Sequence, residues 1–239
     1  MQVKFNKRLE EYDYILSFDL AKHITGYSLM EIETNKILVS GLVETDSSNG
    51  TPWKEFYDKV KETIVFLREK YGNNFFVLKE RLPNQNGPRS SIAALQELAK
   101  VHAIFDLLVD QMYLDYYDFL GVSSVSEKAI VRSYTGIEKP TKDDVFNFVV
   151  SVCPNFEPIL INEKKKIYDT NTSDSIMVSL TLILKKWNSD IEAEIKELRK
   201  KTKLYKRERD VSLAEEKIGY LQNLKIKKEV ELCGKADKL

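Results

Sequence analysis

A short apolar segment, residues 14–18, leads directly into an acidic residue, Asp19. Two further apolar segments, 25–32 and 36–43, follow it and are separated only by a polar turn sequence. This spacing predicts three strands, of which the second and third form a hairpin. The chain therefore begins its core with a sheet, and an acid stands at the end of the first strand.

Segments with helical periodicity follow the predicted hairpin. Apolar residues recur every three or four positions over 53–67, after a Thr-Pro pair that suits a helix start. Apolar segments 75–78 and 119–122 predict two more strands, the first of which leads to Glu80. Further helices are predicted after Ser90 or Ser91, over 126–133, after Thr141 and after Thr172 or Ser173. This order predicts an α/β fold whose sheet is buried between helical layers.

The overall charge gives no indication of a polyanionic partner. The 37 basic residues equal the 37 acidic ones in number, so a nucleic-acid surface has to come from local clustering. The two cysteines, Cys153 and Cys233, are too few for a disulfide framework or a zinc site. Residues 1–13 lack the apolar core of a signal peptide and no segment has the length of a membrane span. We therefore expect a cytoplasmic protein, in the host cytoplasm if the chain is viral.

The composition changes after Trp187, where Lys, Arg and Glu come to dominate. We expect an N-terminal arm over 1–13, a main domain over 14–187 and a charged helical extension over 188–239. A basic cluster at 199–209 suits two interpretations, a phosphate-binding segment or a solvated helix face balanced by nearby glutamates.

Three acids stand where buried elements begin or end: Asp19, Glu80 and Asp174, the last in the opening turn of the final core helix. Taken singly, an acid at a strand end is also compatible with an ordinary loop position. Together they could converge on one edge of the sheet, where buried carboxylates repel one another unless cations lie between them. Mg²⁺ and Mn²⁺ prefer such oxygen ligands. Two ions about 4 Å apart would activate water and stabilise a leaving oxygen.

Three segments resemble the motifs of one nuclease family. Residues 15–28, ILSFDLAKHITGYS, resemble the opening motif of RuvC-type Holliday junction resolvases in the RNase H-like superfamily, and the variant looks like the phage type. Residues 77–80, VLKE, followed by a polar loop, resemble the second motif. Residues 171–180, NTSDSIMVSL, resemble the closing motif, in which two metal-binding residues lie three apart. The resemblance implies that the catalytic, metal-binding residues are Asp19, Glu80, Asn171 and Asp174, holding two Mg²⁺ or Mn²⁺ ions per site.

A basic segment, residues 135–145, resembles the part of the family in which an early helix lysine contacts DNA. The resemblance assigns DNA binding to Lys142, with Lys128, Arg132, Lys139 and Arg89. The chain departs from the family at Asn171, a position that more often holds Asp or His, and Asp169 is the rival for that role. It also departs at Pro83, where some members carry an aromatic wedge.

The resemblance implies an RNase H-like mixed five-stranded sheet, with strands 1 to 3 antiparallel, flanked by helices. It implies a crossover junction endodeoxyribonuclease that acts on branched DNA, four-way junctions and flaps, as a homodimer. The alternatives are a flap or branch nuclease without junction preference and a non-catalytic branched-DNA-binding protein. An actin-like ATPase would need a glycine soon after the first Asp, and residues 20–22, LAK, supply none. His23 is expected in an exposed turn and His102 in the core or an interface.

Overall fold

The computed structural model describes residues 12–46, 52–80, 82, 92–114, 116–117, 124–153, 155–162, 167–202 and 210–220. These residues form the following strands and helices. In chain order they are β1 (Tyr14–Asp19), β2 (Ile24–Glu31), β3 (Ile37–Glu44), α1 (Pro52–Tyr71), β4 (Phe75–Lys79), α2 (Ile92–Gln111), β5 (Tyr116–Tyr117), α3 (Ser124–Thr135), α4 (Lys142–Val152), β6 (Leu160–Asn162), β7 (Ile167–Tyr168) and α5 (Asn171–Thr202). Residues 210–220 are also helical.

The main sheet is mixed and has the strand order β3-β2-β1-β4-β5. β2 runs antiparallel to β1 and to β3, whereas β4 runs parallel to β1 and to β5. The parallel pair explains why Asp19 and Glu80 come to one edge, since β1 and β4 end side by side and the Glu80 amide donates to the Phe18 carbonyl (3.3 Å). The predicted mixed sheet flanked by helices is confirmed.

Helices cover both faces of the sheet, and alternate side chains of β1 point to opposite layers. Leu16 and Phe18 pack with α1 and α2, where Phe56 and Phe105 are completely buried. Ile15 packs on the other face with Val178 and Leu182 of α5. A third cluster joins α3, α4 and α5 through apolar side chains: Ile130, Val131, Val145, Phe148, Ile176 and Met177.

Helix α5 approaches β1 and β2 closely because small residues line the contact. Ser17 Oγ donates to the Ser175 carbonyl (2.7 Å) and accepts from Ser179 Oγ (2.8 Å). It also shares a hydrogen bond with Ser28 Oγ (2.8 Å). We call these four serines the serine seam. Near the end of the seam, a Cβ added at Gly26 would lie 2.0 Å from the Asn171 carbonyl oxygen, so only glycine fits beneath the first turn of α5.

Some predicted boundaries differ from the structure. The last strand of the sheet lies at Tyr116–Tyr117, before the predicted position, and residues 118–123 lie outside the described residues, as do Ser90 and Ser91. The β6 and β7 hairpin was not predicted from the sequence.

The predicted caps of the last two helices have different outcomes. Thr141 caps α4 in a capping box with Asp144, which confirms that prediction. The prediction of Thr172 or Ser173 as the cap of α5 is wrong. The helix begins at Asn171. Asp169 Oδ2 accepts a hydrogen bond from the Thr172 amide (2.9 Å), because a carboxylate is a strong acceptor for the first-turn amides that have no partner within the helix.

Helix α5 continues across residue 187 to Thr202, and the boundary predicted there stays a prediction. In the described part of the chain, no helix combines the length and the apolar character that crossing a bilayer requires.

Candidate active site

The three predicted acids come from three elements that meet at one edge of the sheet. Asp19 is the last residue of β1, Glu80 follows β4, and Asp174 lies in the first turn of α5. Burial, followed by the negative charges of Asp174 and Glu80, raises the pKa of Asp19 to about 7. The pKa of Asp174 is also raised, chiefly by burial. The fold therefore brings these carboxylates within electrostatic range of one another.

The acids do not yet form a closed ligand set. Among the described residues, no three Asp, Glu, His or Cys side chains stand together in a way that could hold one metal ion. Instead, Lys142 Nζ of α4 lies 3.1 Å from Asp174 Oδ2 in an ion pair. Burial lowers the pKa of Lys142, but the Asp174 charge and hydrogen bond outweigh it and the net shift is upward. The exposed lysine thus supplies positive charge to this edge and can move away when another cation binds.

Asp169 and Asn171, the two rivals in the closing motif, make different contacts. Asp169 is only 2% exposed, and its Oδ2 accepts from the amide and the hydroxyl of Thr172. Its Oδ1 accepts from Asn171 Nδ2 (2.8 Å), which fixes the Asn171 amide with its oxygen turned away from Asp169. Since Asp169 is occupied in capping α5, Asn171 remains the predicted partner of Asp174.

The predicted DNA-binding residues fall into three groups. Lys128 and Lys142 lie near the acids, and the positive charges of both lower the pKa of Asp174. Arg132 and Lys139 are exposed, on α3 and on the connection between α3 and α4. Arg89 lies outside the described residues, and so does Pro83.

Sequence reasoning missed one acid of this region, Glu127, in the first turn of α3. Its side chain is only 5% exposed, and burial raises its pKa well above the usual range. Glu80 contributes next to that rise, followed by Asp174 and Asp19. In the sequence, Glu127 is a single acid in the helix predicted over 126–133. The sequence does not show which face of that helix meets the site.

The available donors suit a hard divalent cation. They are carboxylate oxygens and one amide oxygen, which Mg²⁺ and Mn²⁺ prefer. Among the described residues, the buried Glu127 Oε1 has no hydrogen-bond partner, and the pKa of Asp19 is raised, chiefly by burial, despite the positive charge of Lys142. A cation bound at this edge would stabilise the charged forms of these carboxylates.

A β3-β2-β1-β4-β5 sheet with α5 packed across β1 and acids at the ends of β1 and β4 defines a RuvC-like member of the α/β class. The structure is similar to that of T. thermophilus RuvC in complex with Holliday junction substrate, with a TM-score of 0.51 and 12% identity over 70% of this chain and 90% of that chain. A second Thermus thermophilus RuvC structure gives a TM-score of 0.50 and 12% identity over 70% and 92%. No protein-family model and no curated protein matches the sequence. The structural likeness establishes the fold.

Proposed function

We propose that this protein is a metal-dependent endonuclease that resolves Holliday junctions and cuts other branched DNA. The observation that carries the proposal is that Asp19, Glu80 and Asp174, from three separate elements, lie close enough for the charges of Asp174 and Glu80 to add to burial in raising the pKa of Asp19 to about 7. A site with this charge on a RuvC-like fold suits phosphodiester hydrolysis. The substrate class is carried over from the compared RuvC, which was solved with a Holliday junction.

The proposed cation site uses the oxygens of Asp19, Glu80, Asp174 and Asn171. Bound Mg²⁺ or Mn²⁺, two ions per site in this proposal, supplies an activated water and a counter-charge for the leaving oxygen. Asp169 acts on the site through Asn171, because its hydrogen bond fixes the orientation of that amide. Asn171 contributes an oxygen ligand only, since an amide does not act as a base.

The proposed DNA contacts lie beside the acids on α3 and α4. Lys142 is well placed for a phosphate, because its side chain is 68% exposed while its ammonium group lies 3.1 Å from Asp174. Lys142 would be free to pair with the DNA backbone if Asp174 bound a divalent cation instead. Lys128, Arg132, Lys139 and Arg89 extend this basic surface in the proposal.

A homodimer completes the proposal, because two-fold symmetry would present two sites to opposed strands of a four-way junction. Helix α2 supports it, since it leaves Ile92 77% and Leu107 53% exposed while burying Phe105 on its other face. Sedimentation of the purified protein tests this part. A monomer at all micromolar concentrations would contradict it.

The proposed activity is tested by incubating the protein with end-labelled four-way, three-way and flap DNAs in Mg²⁺ or Mn²⁺. Asp19→Asn should cut at least about a hundredfold more slowly, because it removes a charged ligand that stabilises the transition state. Asp58→Asn, which removes an exposed acid paired with Lys54 on α1, is the matched control and should cut normally. Equal rates for Asp19→Asn and the wild type would dismiss the assigned site.

A second candidate function, branched-DNA binding without cleavage, is favoured by one observation. The described acids do not form a three-ligand metal group before an ion binds. The same assay separates the candidates, because a binding protein would retain four-way junctions in a gel shift and release no nicked product in either metal. Preference for flaps over four-way junctions would identify a branch nuclease instead.

A further inference from the structure

We infer that Glu127 of α3 is a further carboxylate of the candidate cation site, one that the sheet and α5 do not supply. This inference rests on the proposed function, because it assigns a residue to the same site. It starts from the side chain itself, which is 5% exposed and has an oxygen, Oε1, with no hydrogen-bond partner among the residues that the structure describes. A buried carboxylate oxygen without a partner is costly for a fold.

The position of Glu127 on α3 directs it toward the acids. Ile130 and Val131, three and four residues further along, belong to the cluster that packs α3 against α5. Residues at these spacings share one helix face, so Glu127 lies on the packed face of α3, one turn nearer its N-terminus. There it is within electrostatic range of Glu80, Asp174 and Asp19.

A purely structural role does not account for this placement. A structural glutamate in a core is held by hydrogen bonds or an ion pair. Glu127 Oε1 makes no such bond to a described residue, and of the charges that shift its pKa the largest effect comes from another acid, Glu80. The positive charge nearby, Lys142, is paired with Asp174. A divalent cation among these acids would give the buried oxygen a partner.

The test is direct titration of the purified protein with MnCl₂ by calorimetry, without DNA, on the wild type, Glu127→Gln and Glu138→Gln. Glu127→Gln should weaken Mn²⁺ binding about tenfold or more, because it removes one charged oxygen from the site. Glu138→Gln is the matched control, since it removes an exposed acid just beyond the same helix, and it should bind Mn²⁺ like the wild type.

Thermal unfolding gives a second readout. The rise in midpoint caused by saturating MnCl₂ should be about 3 to 5 °C smaller for Glu127→Gln than for the wild type. Without the ion, Glu127→Gln should unfold at the same temperature or higher, because a neutral amide is less costly to bury than an unpaired carboxylate. A lower midpoint without the ion, together with unchanged Mn²⁺ binding, would identify a structural residue and overturn the inference.

The outcomes separate this inference from the proposed function. If the wild type binds Mn²⁺, Asp19→Asn weakens it and Glu127→Gln does not, the role of Glu127 is overturned and the nuclease proposal stands. If the wild type binds no Mn²⁺, both are overturned. Should Glu127→Gln fail to fold, Glu127→Asp replaces it, because it keeps the charge and shortens the reach by one methylene. Weaker binding by that variant supports the inference, and unchanged binding overturns it.

Discussion

At the scale of single residues, the spacing of the candidate site depends on a glycine, Gly26, which has no side chain. Gly26 lies opposite Asp19 in the register of β1 and β2, and the Asn171 carbonyl occupies the space that a Cβ at position 26 would need. The β2 residue paired with Asp19 therefore touches the helix turn that carries Asp174. This contact gives a physical reason for the glycine in the sequence Thr25-Gly26-Tyr27.

Gly26→Ala should destabilise the protein by about 1 to 3 kcal/mol, because the new methyl group displaces the first turn of α5. Urea unfolding measures this, and Mn²⁺ binding should weaken in the same variant since Asn171 and Asp174 move with the turn. Gly219→Ala is the control: its Cβ meets nothing within 4 Å in a helical segment, so stability should stay equal or rise by up to about 1 kcal/mol. A Gly26→Ala protein as stable as the wild type would contradict the contact.

At the scale of elements, the distinctive feature is that buried polar side chains hold helix α5 to the sheet. The serine seam lets the helix backbone come close to β1, and Ser17 at its centre satisfies three partners at once. Apolar side chains such as Val178 and Leu182 flank it. The seam therefore combines close approach with complete hydrogen bonding at its centre.

Ser17→Ala should cost about 1 to 3 kcal/mol of unfolding free energy, since it leaves buried partners unsatisfied. The double variant Ser17→Ala with Ser179→Ala should lose less than the sum of the two single losses, because both ends of one bond are then removed. Ser133→Ala, whose hydroxyl bonds only the Ile130 carbonyl of its own exposed helix turn, should change stability by less than about 0.5 kcal/mol. If the stability loss of the double variant equals the sum of the two single losses, Ser17 and Ser179 are not energetically coupled.

The sequence predicted the elements with long periodic patterns, and their local chemistry explains why. Strand β1 is apolar up to Asp19 and α1 repeats its buried residues every three or four positions, so both follow from pattern alone. The β6 and β7 hairpin has only three-residue and two-residue strands, which are too short for a periodic signal. Glu127 was missed because its burial depends on how α3 packs against α5, a contact between distant parts of the chain.

At the scale of the whole molecule, a buried histidine, His102, lies on the side of the sheet that α2 covers. His102 is 5% exposed and lies near the ion pair between Lys79 and Asp106. Burial, followed by the positive charge of Lys79, lowers its pKa to about 4, and the negative charge of Asp106 opposes that shift. This agrees with the expectation of a core histidine, and it links folding to pH.

The unfolded chain binds a proton at His102 below about pH 6.5, whereas the folded protein does so only near pH 4, so folding loses stability as the pH falls between these values. His102→Gln removes this dependence. When the pH falls from 7 to 5, the wild type should lose about 2 kcal/mol more of its free energy of unfolding than His102→Gln does, measured by urea unfolding. His23→Gln, at an exposed position, is the control and should show no such change. A constant difference between His102→Gln and the wild type would show that His102 takes up its proton normally.

The direct contact between Gly26 and the start of α5 divides the candidate site into two parts with different tolerance to change. Gly26, the β2 partner of Asp19, contacts the first turn of α5 that carries Asp174, so the separation of the two acids can vary little without disturbing the core. Lys128, Arg132 and Lys139 are borne by α3 and the segment that follows it, outside that contact. Under the proposed function, substitutions in this outer basic layer would alter the preferred DNA shape and leave the proposed cation site beneath it in place.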